Sequence, residues 1–366
     1  MTASKKVLAV DASRMSAERT GIENYLHHLL PHLCRAWALL DTGQHEVKVF
    51  ATAPAVAAHV FPAPEVLPGG GRGWTQLRLR SALRRIGASV FFNPIPVLPV
   101  TGGLPCPAVV TVHDLHEFRP RWWYFQRLLQ RSLTQASRVV CVSQATREEL
   151  VGEFPAIAPK CVVVREAANL DAFHPGDAGD VLQRLGIPEA PLLAVGTVQP
   201  RKNYDRLIEA YSRIGPGAPP LVIVGKPGWA YEATQALPAR LGLAQRVRFL
   251  GHLDEMEVGD LMRASVALCA VSTAEGFGLP VLEAMCCGLP VLASDIPPFR
   301  EIAGTAARFV APASIEDIAA GLVMLLDDGQ DRERMSEAGL ARRSLFSWES
   351  AAAEIVGVLV EALTAL

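Results

Sequence analysis

Short apolar runs rich in valine, isoleucine and phenylalanine recur along the chain, each closed by polar or glycine-containing residues and followed by a segment of helical periodicity. In the first half these runs are Val7–Asp11, Val47–Ala51, Ser89–Asn93, Ala108–His113, Arg138–Ser143 and Cys161–Glu166. A second set comprises Leu192–Gly196, Leu221–Gly225, Val247–Gly251, Val266–Val271, Pro290–Ser294 and Ala307–Val310. Uninterrupted apolar runs of this length predict strands buried on both faces, as in parallel sheets covered by helices. Strands alternating with helices predict right-handed βαβ units, so each half is expected to be an open, doubly wound, Rossmann-like α/β sheet. The expected domains span 1–178 and 179–345, parted in the loop 173–179 by Pro175 and Gly176, with a helical segment over 346–366.

Composition agrees with two folded cores: 366 residues exceed what one core usually holds, and half of them are apolar while a fifth are charged. The apolar run after Lys5 and Lys6 ends at Asp11, too soon for a signal peptide. No stretch of eighteen uncharged apolar residues predicts a membrane span. Seven cysteines, an odd number without a CxxC pair, point to reduced thiols in a cytoplasmic setting. They also lack the closely spaced ligand pairs of structural zinc, so no metal is expected. A net charge of −2 hides a basic front half and an acidic back half, which reads either as one lobe meeting an anion or as ordinary solvated surface.

Ligands of open α/β sheets bind beyond the carboxyl ends of the strands. The chemistry-bearing residues at those ends are Gly21, Asn93, His113, Ser143 and Asn169 in the first half. In the second they are Gly196, Arg201, Lys202, Lys226, His252, Glu275 and Asp295. The most informative stretch runs from Ser272 to Met285. Gly276 and Gly278 permit close backbone approach, and Pro280 suits a helix start near Leu279 whose unpaired N–H groups attract an anion. Glu275 precedes that helix and Glu283 lies a turn inside it. Two such carboxylates either grip a vicinal diol such as a nucleotide ribose or merely favour the helix dipole. In Val195-Gly-Thr-Val-Gln-Pro-Arg-Lys-Asn203, Arg201 and Lys202 arrive together before a helix near Tyr204, with Asn203 as the expected N-cap. Side by side they suit a departing diphosphate, or else form a solvated surface pair.

The Glu-x7-Glu spacing from Glu275 to Glu283 around GFGLPVLEAM resembles the signature of retaining glycosyltransferase family 4, also described as glycosyl transferases group 1. That resemblance implies the GT-B fold: two Rossmann-like domains facing across a cleft, with the C-terminal helix crossing back to the first. It implies that Glu283 binds ribose hydroxyls, and that Glu275, with Gly276, Phe277, Gly278 and Leu279, sits by the donor hexose. Arg201 and Lys202, after Gly196, are implied to hold both phosphates. Val247-Arg-Phe-Leu-Gly-His-Leu253 is similar to the family's segment beside the base, which brings in His252 and Leu253. Lys226 matches more loosely and reads equally as a loop lysine. Thr20-Gly-Ile22 resembles the family's glycine loop near the donor phosphates, through Gly21. The segment around His113 resembles its central strand end, where His113 either contacts the reacting sugar or bonds only loop backbone. Asn169-Leu-Asp171 departs from the family's usual Asn-Gly-Val-Asp, and Gly304-Thr-Ala lacks the acidic residue often found there.

The implied activity is retaining transfer of a hexose from a nucleotide diphosphate sugar, without metal, to a saccharide or lipid-linked saccharide in polysaccharide or glycan biosynthesis. The VGTVQPRKN pattern is similar to that of mannosyltransferases using GDP-mannose. Two basic, aromatic stretches, Arg72–Arg85 with Trp74 and Arg119–Arg131 with Trp122 to Phe125, read either as a peripheral contact with an anionic membrane face or as core-packing helices. No nucleic-acid module is present. The rival readings are a sugar-nucleotide epimerase and a non-catalytic sugar-nucleotide-binding scaffold; the second would be expected to lack Arg201, Lys202, Glu275 and Glu283, all present here.

Overall fold

A computed structural model describes residues 5–13, 21–40, 45–51, 65–66, 78–99, 103–115 and 123–364. Its contacts group into two units, Met1–Glu166 with Ser347–Leu366, and Ala167–Phe346.

Among the described residues the first unit holds seven parallel strands: β1 (Val7–Asp11), β2 (Glu46–Ala51), β3 (Glu65–Val66), β4 (Val90–Asn93), β5 (Ala108–Val112), β6 (Arg138–Cys141) and β7 (Cys161–Val163). Their spatial order is β3-β2-β1-β4-β5-β6-β7. All residues of β1, β4 and β5 are buried, as expected of mainly apolar strands covered on both faces, and the burial extends to the polar Asp11, Asn93 and Thr111. The helix Gly21–Ala38 buries Tyr25, Leu26, Leu29, Leu30, Leu33 and Trp37, an i, i+4 stripe. Against it lies the C-terminal helix Trp348–Thr364, whose Ala351, Ala352, Ile355 and Leu359 are buried. Trp348 meets Tyr25 edge-on at 5.8 Å and stacks on His28 at 5.9 Å, so the chain's last segment belongs to the first unit, as expected.

The second unit holds six parallel strands: β8 (Leu192–Val195), β9 (Leu221–Val224), β10 (Val247–Gly251), β11 (Ala267–Ala270), β12 (Val291–Ser294) and β13 (Ala307–Val310). Their order is β10-β9-β8-β11-β12-β13. The order reverses between β8 and β11, as it does between β1 and β4 in the first unit. At such a point the two outgoing loops diverge and leave a crevice. β8 leads to Arg201 and Lys202, and β11 leads to Glu275, so the second unit's switch point carries both motifs singled out in the sequence.

Twelve strands lie where the apolar runs place them; β3 is an addition, two residues paired in parallel with β2. His113, Ser143, Gly196 and Gly225 fall just past their strands, in the loops. The loop 173–179 is held by Arg263, whose guanidinium donates to the carbonyls of Ala172 (2.9 Å), His174 (3.2 Å) and Asp177 (3.1 Å). Its proline and glycine punctuate a loop of the second unit.

Candidate functional site

In the second unit, Pro200–Lys202 forms one turn of 3-10 helix after β8, and Asn203 ends it in the left-handed region, φ 62° and ψ 27°. Asn203 stands at the expected N-cap position of the helix Tyr204–Tyr211, but its side chain makes no capping bond there. Gly196 has φ 141°, and a Cβ there would lie 2.8 Å from Cε of Lys202. The missing side chain lets the lysine lie across the strand end.

Beyond β11 the two motifs meet. Arg201 Nη1 donates to Glu275 Oε2 at 2.5 Å, Lys202 Nζ to Glu275 Oε1 at 2.6 Å, and Ser272 Oγ to the same Oε1 at 2.7 Å. The Glu275 side chain is 8% exposed and that of Lys202 11%, while Arg201 reaches solvent more, at 29%. Burial alone would raise the Glu275 carboxyl, but Lys202, Arg201 and Ser272 together bring it down to about 2. A cavity of about 10 Å³, room for about one water, lies beneath this cluster between Lys202, Tyr204, Ser272, Glu275, Gly278 and Phe299. Tyr204 donates its hydroxyl to the Gly196 carbonyl at 3.1 Å.

The depressed Glu275 carboxyl stabilises the fold fully above its unfolded value near 4.5, and that contribution is lost as pH falls towards about 2. Over that window the wild type should lose roughly 3 kcal/mol relative to Glu275→Gln. Denaturant unfolding of both proteins between pH 6 and pH 2 checks this; a difference that stays constant across the window contradicts it.

Glu275 leads into the helix Leu279–Cys287, whose first turn contains Pro280. Gly278, with φ 107°, precedes it, and a Cβ there would strike the Phe299 ring at 2.6 Å. Glycine thus lets the loop close down on the helix Pro297–Ala303. Gly276 and Phe277 are buried and Leu279 is half-buried, while Phe277 meets Phe346 edge-on at 6.0 Å. Glu283 is half-buried one turn into the helix. The structure therefore joins Arg201, Lys202 and Glu275 directly, and Glu283 stands on the adjoining helix. Lys226, after β9, is half-buried; its carbonyl accepts from Val198 N at 2.9 Å. His252 is exposed and Leu253 half-buried after β10. Asp295 pairs with Arg300 through both carboxylate oxygens, at 2.6 and 2.8 Å.

In the first unit, His113 follows β5. Its Nδ1 bonds Glu166 Oε1 at 2.8 Å and its Nε2 bonds the Pro94 carbonyl at 2.9 Å. A carbonyl and a carboxylate both accept, so the ring satisfies both by carrying two protons. Burial lowers the affinity of the ring for its second proton, but Glu166, the Pro94 carbonyl and Asp114 outweigh it and leave the pKa raised. Tyr25 places its ring edge-on to the imidazole at 4.7 Å. Asn93 closes its own turn, donating to the Val97 carbonyl at 2.8 Å, and Ser143 caps the helix Gln144–Glu153 by accepting from Thr146 N at 2.9 Å. Gly21 is exposed in the helix Gly21–Ala38, and a Cβ there would meet nothing within 4 Å. Thr20 before it, residues 72–77 and residues 119–122 of the basic aromatic stretches lie outside the described residues.

Sequence reasoning did not mark Glu166, Ser272 or Tyr204 as site residues. Glu166 was visible only as the polar end of a predicted strand, and the other two only as the first residues of a motif and of a helix. Among the described residues no group of three His, Cys, Asp or Glu side chains is arranged to hold a metal ion, and no helix is long and apolar enough to cross a membrane.

Two doubly wound parallel sheets, with a C-terminal helix returning to the first, define the GT-B fold. The Anabaena HepE crystal structure in complex with UDP and glucose superposes with a TM-score of 0.78 at 21% identity, covering 99% of this chain and 100% of that one. WaaG, a glycosyltransferase involved in lipopolysaccharide biosynthesis, gives 0.73 at 17% identity, over 96% of this chain and 99% of that one. Residues 19–172 match the family described as Glycosyltransferase Family 4, and residues 184–342 that described as Glycosyl transferases group 1. O-antigen chain mannosyltransferase B of Escherichia coli is 31% identical over 262 residues, 68% of this chain and 69% of that protein. The MMP alpha-(1->4)-mannosyltransferase of Mycolicibacterium hassiacum is 29% identical over 66% of this chain and 58% of its own length. The chain belongs to glycosyltransferase family 4, and is an enzyme that transfers sugar.

Proposed function

We propose that the enzyme is a retaining hexosyltransferase that moves mannose from GDP-mannose to a saccharide or lipid-linked saccharide in polysaccharide assembly. One observation carries the reading: two cations and a carboxylate from separate loops meet at the switch point of the second sheet, where such folds bind nucleotides. Arg201 and Lys202 then face the diphosphate and stabilise the charge that grows on it as the glycosidic bond breaks, the task a metal ion performs elsewhere. Glu275, with the amides of Gly276, Phe277, Gly278 and Leu279, lies beside the hexose. Glu283 takes the ribose hydroxyls, His252 and Leu253 flank the base, and Gly196, Lys226 and Gly21 border the phosphates. The acceptor hydroxyl attacks on the face the nucleotide leaves, and the departing phosphate takes its proton. His113 lies by the reacting sugar and is not the proton acceptor in this reading, because the acceptors at its two nitrogens, Glu166 and the Pro94 carbonyl, favour a doubly protonated ring. The mannose preference leans on the two mannosyltransferase relatives. The cytoplasmic setting rests on reduced cysteines, and peripheral membrane contact on the basic aromatic stretches 72–85 and 119–131.

A panel of nucleotide sugars tests the donor. A ligand that binds only the folded state at a hundred times its Kd adds about 2.7 kcal/mol of apparent stability. GDP-mannose should raise the melting temperature by several degrees and exceed UDP-glucose; equal or greater protection by UDP-glucose would reassign the base and sugar.

A further inference from the structure

We propose that Asn203 is a positioning residue for the donor's diphosphate: it locks the turn bearing Arg201 and Lys202 to the strand end that supplies Glu275. The inference rests on the phosphate reading of those two cations.

Among the described non-glycine residues only Asn203 and Ala230 have positive φ, a conformation that asparagine tolerates better than most. An asparagine ahead of a helix ordinarily caps it. Here the side chain, in a residue only 3% exposed, is engaged elsewhere. Its Nδ2 donates to the Val271 carbonyl at 2.9 Å and to the Pro312 carbonyl at 2.8 Å, and its Oδ1 accepts from Arg206 at 2.8 Å. One planar amide therefore ties the turn after β8 to the ends of β11 and β13. A backbone bond and a side-chain bond continue the seam: Thr273 N donates to the Arg201 carbonyl at 2.8 Å, and Arg201 Nη1 donates to the Ala274 carbonyl at 3.3 Å.

The consequence is preorganisation. Two long cationic side chains bind a diphosphate well only if their ordering has been met beforehand, and a backbone held at both ends meets it. Removing the amide frees the turn and strands two inward carbonyls, so the diphosphate should be gripped less tightly while the base and ribose subsites are untouched.

Asn203→Gly keeps the left-handed backbone at no steric cost and deletes the amide. Asn203→Asp keeps the shape and the Arg206 contact but turns an acceptor towards the two carbonyls. Affinities of both variants and of wild type for GDP, UDP, pyrophosphate and the nucleosides guanosine and uridine would be measured by calorimetry, alongside melting temperatures. The diphosphate probes should weaken at least tenfold while the nucleosides stay within twofold. A residue that only holds the fold would lower the melting temperature and leave the folded protein's affinities unchanged; that result, or wild-type diphosphate affinity in both variants, overturns the proposal. If the glycine variant does not fold, the isosteric aspartate carries the same test. Arg201→Ala with Lys202→Ala is the companion: wild-type diphosphate affinity there refutes the phosphate reading itself. Loss there without loss at Asn203 refutes only the role of Asn203.

Discussion

Alanine at both Arg201 and Lys202 is expected to lower sugar transfer at least a hundredfold and to destabilise the protein by several kcal/mol at neutral pH. The kinetic part follows from removing both cations at the leaving diphosphate, where loss of a single preorganised donor typically costs about a hundredfold or more. The stability part has a separate origin. Glu275 is 8% exposed and gives both oxygens to these two side chains, so the double variant leaves a buried carboxylate with Ser272 as its remaining side-chain donor. Breaking a buried pair from one side costs about 3–5 kcal/mol. The two effects separate when Glu275→Gln is added to the double variant: the stranded charge disappears, so the melting temperature should recover most of its loss while transfer stays low. If the triple variant regained transfer, the double variant's deficit would be one of folding. Undiminished transfer in a folded double variant would remove the pair from the chemistry.

Much of this arrangement was legible in the sequence for a physical reason. Strands buried between helices on both faces cannot alternate polar and apolar residues, so runs such as Leu221–Val224 and Val291–Ser294 announce themselves. Hydrophobicity does not record where ladder hydrogen bonds stop, which is why His113 and Gly196 read as strand and lie in loops. The pair Glu65–Val66 is too short to show any period. The proximity of the cation turn to Glu275 was expected from motif and resemblance, but the direct ion pairing depends on β8 and β11 being neighbours, and no local pattern encodes strand order.

Asn203 shows the opposite limit. Locally it is a capping residue, and carbonyls 68 and 109 positions away recruit its side chain instead. The loop 173–179 fails similarly: proline and glycine mark a turn, whereas Arg263, from a distant helix, decides which unit owns it. Resemblance to a family locates motifs in such cases, and only the coordinates show which neighbours they keep.

The His113–Glu166 pair was legible least, because the partners are 53 residues apart and neither spacing nor motif links them. Glu166→Ala is expected to destabilise the enzyme by about 3–5 kcal/mol in mildly acidic solution, since it leaves a protonated ring, 16% exposed, without its carboxylate. The pH dependence has a definite sign. His113 is raised above its ordinary value, so its contribution is fully present below the unfolded value near 6.5 and fades as pH rises through the higher folded value. The gap in stability between wild type and Glu166→Ala should therefore be widest near pH 5.5 and narrow by pH 9. The other groups facing the ring do not reverse this: Asp114 also favours the charged form, and burial pushes the Tyr25 phenol up, so it stays neutral throughout. Glu166→Gln, which keeps an acceptor and removes the charge, should fall between the two. Denaturant unfolding at three pH values, with an NMR titration of the His113 ring, decides the matter. A gap that widens with pH, or a ring titrating at or below 6.5 in the wild type, would mean that His113 is neutral at work and retains a nitrogen able to accept the acceptor's proton.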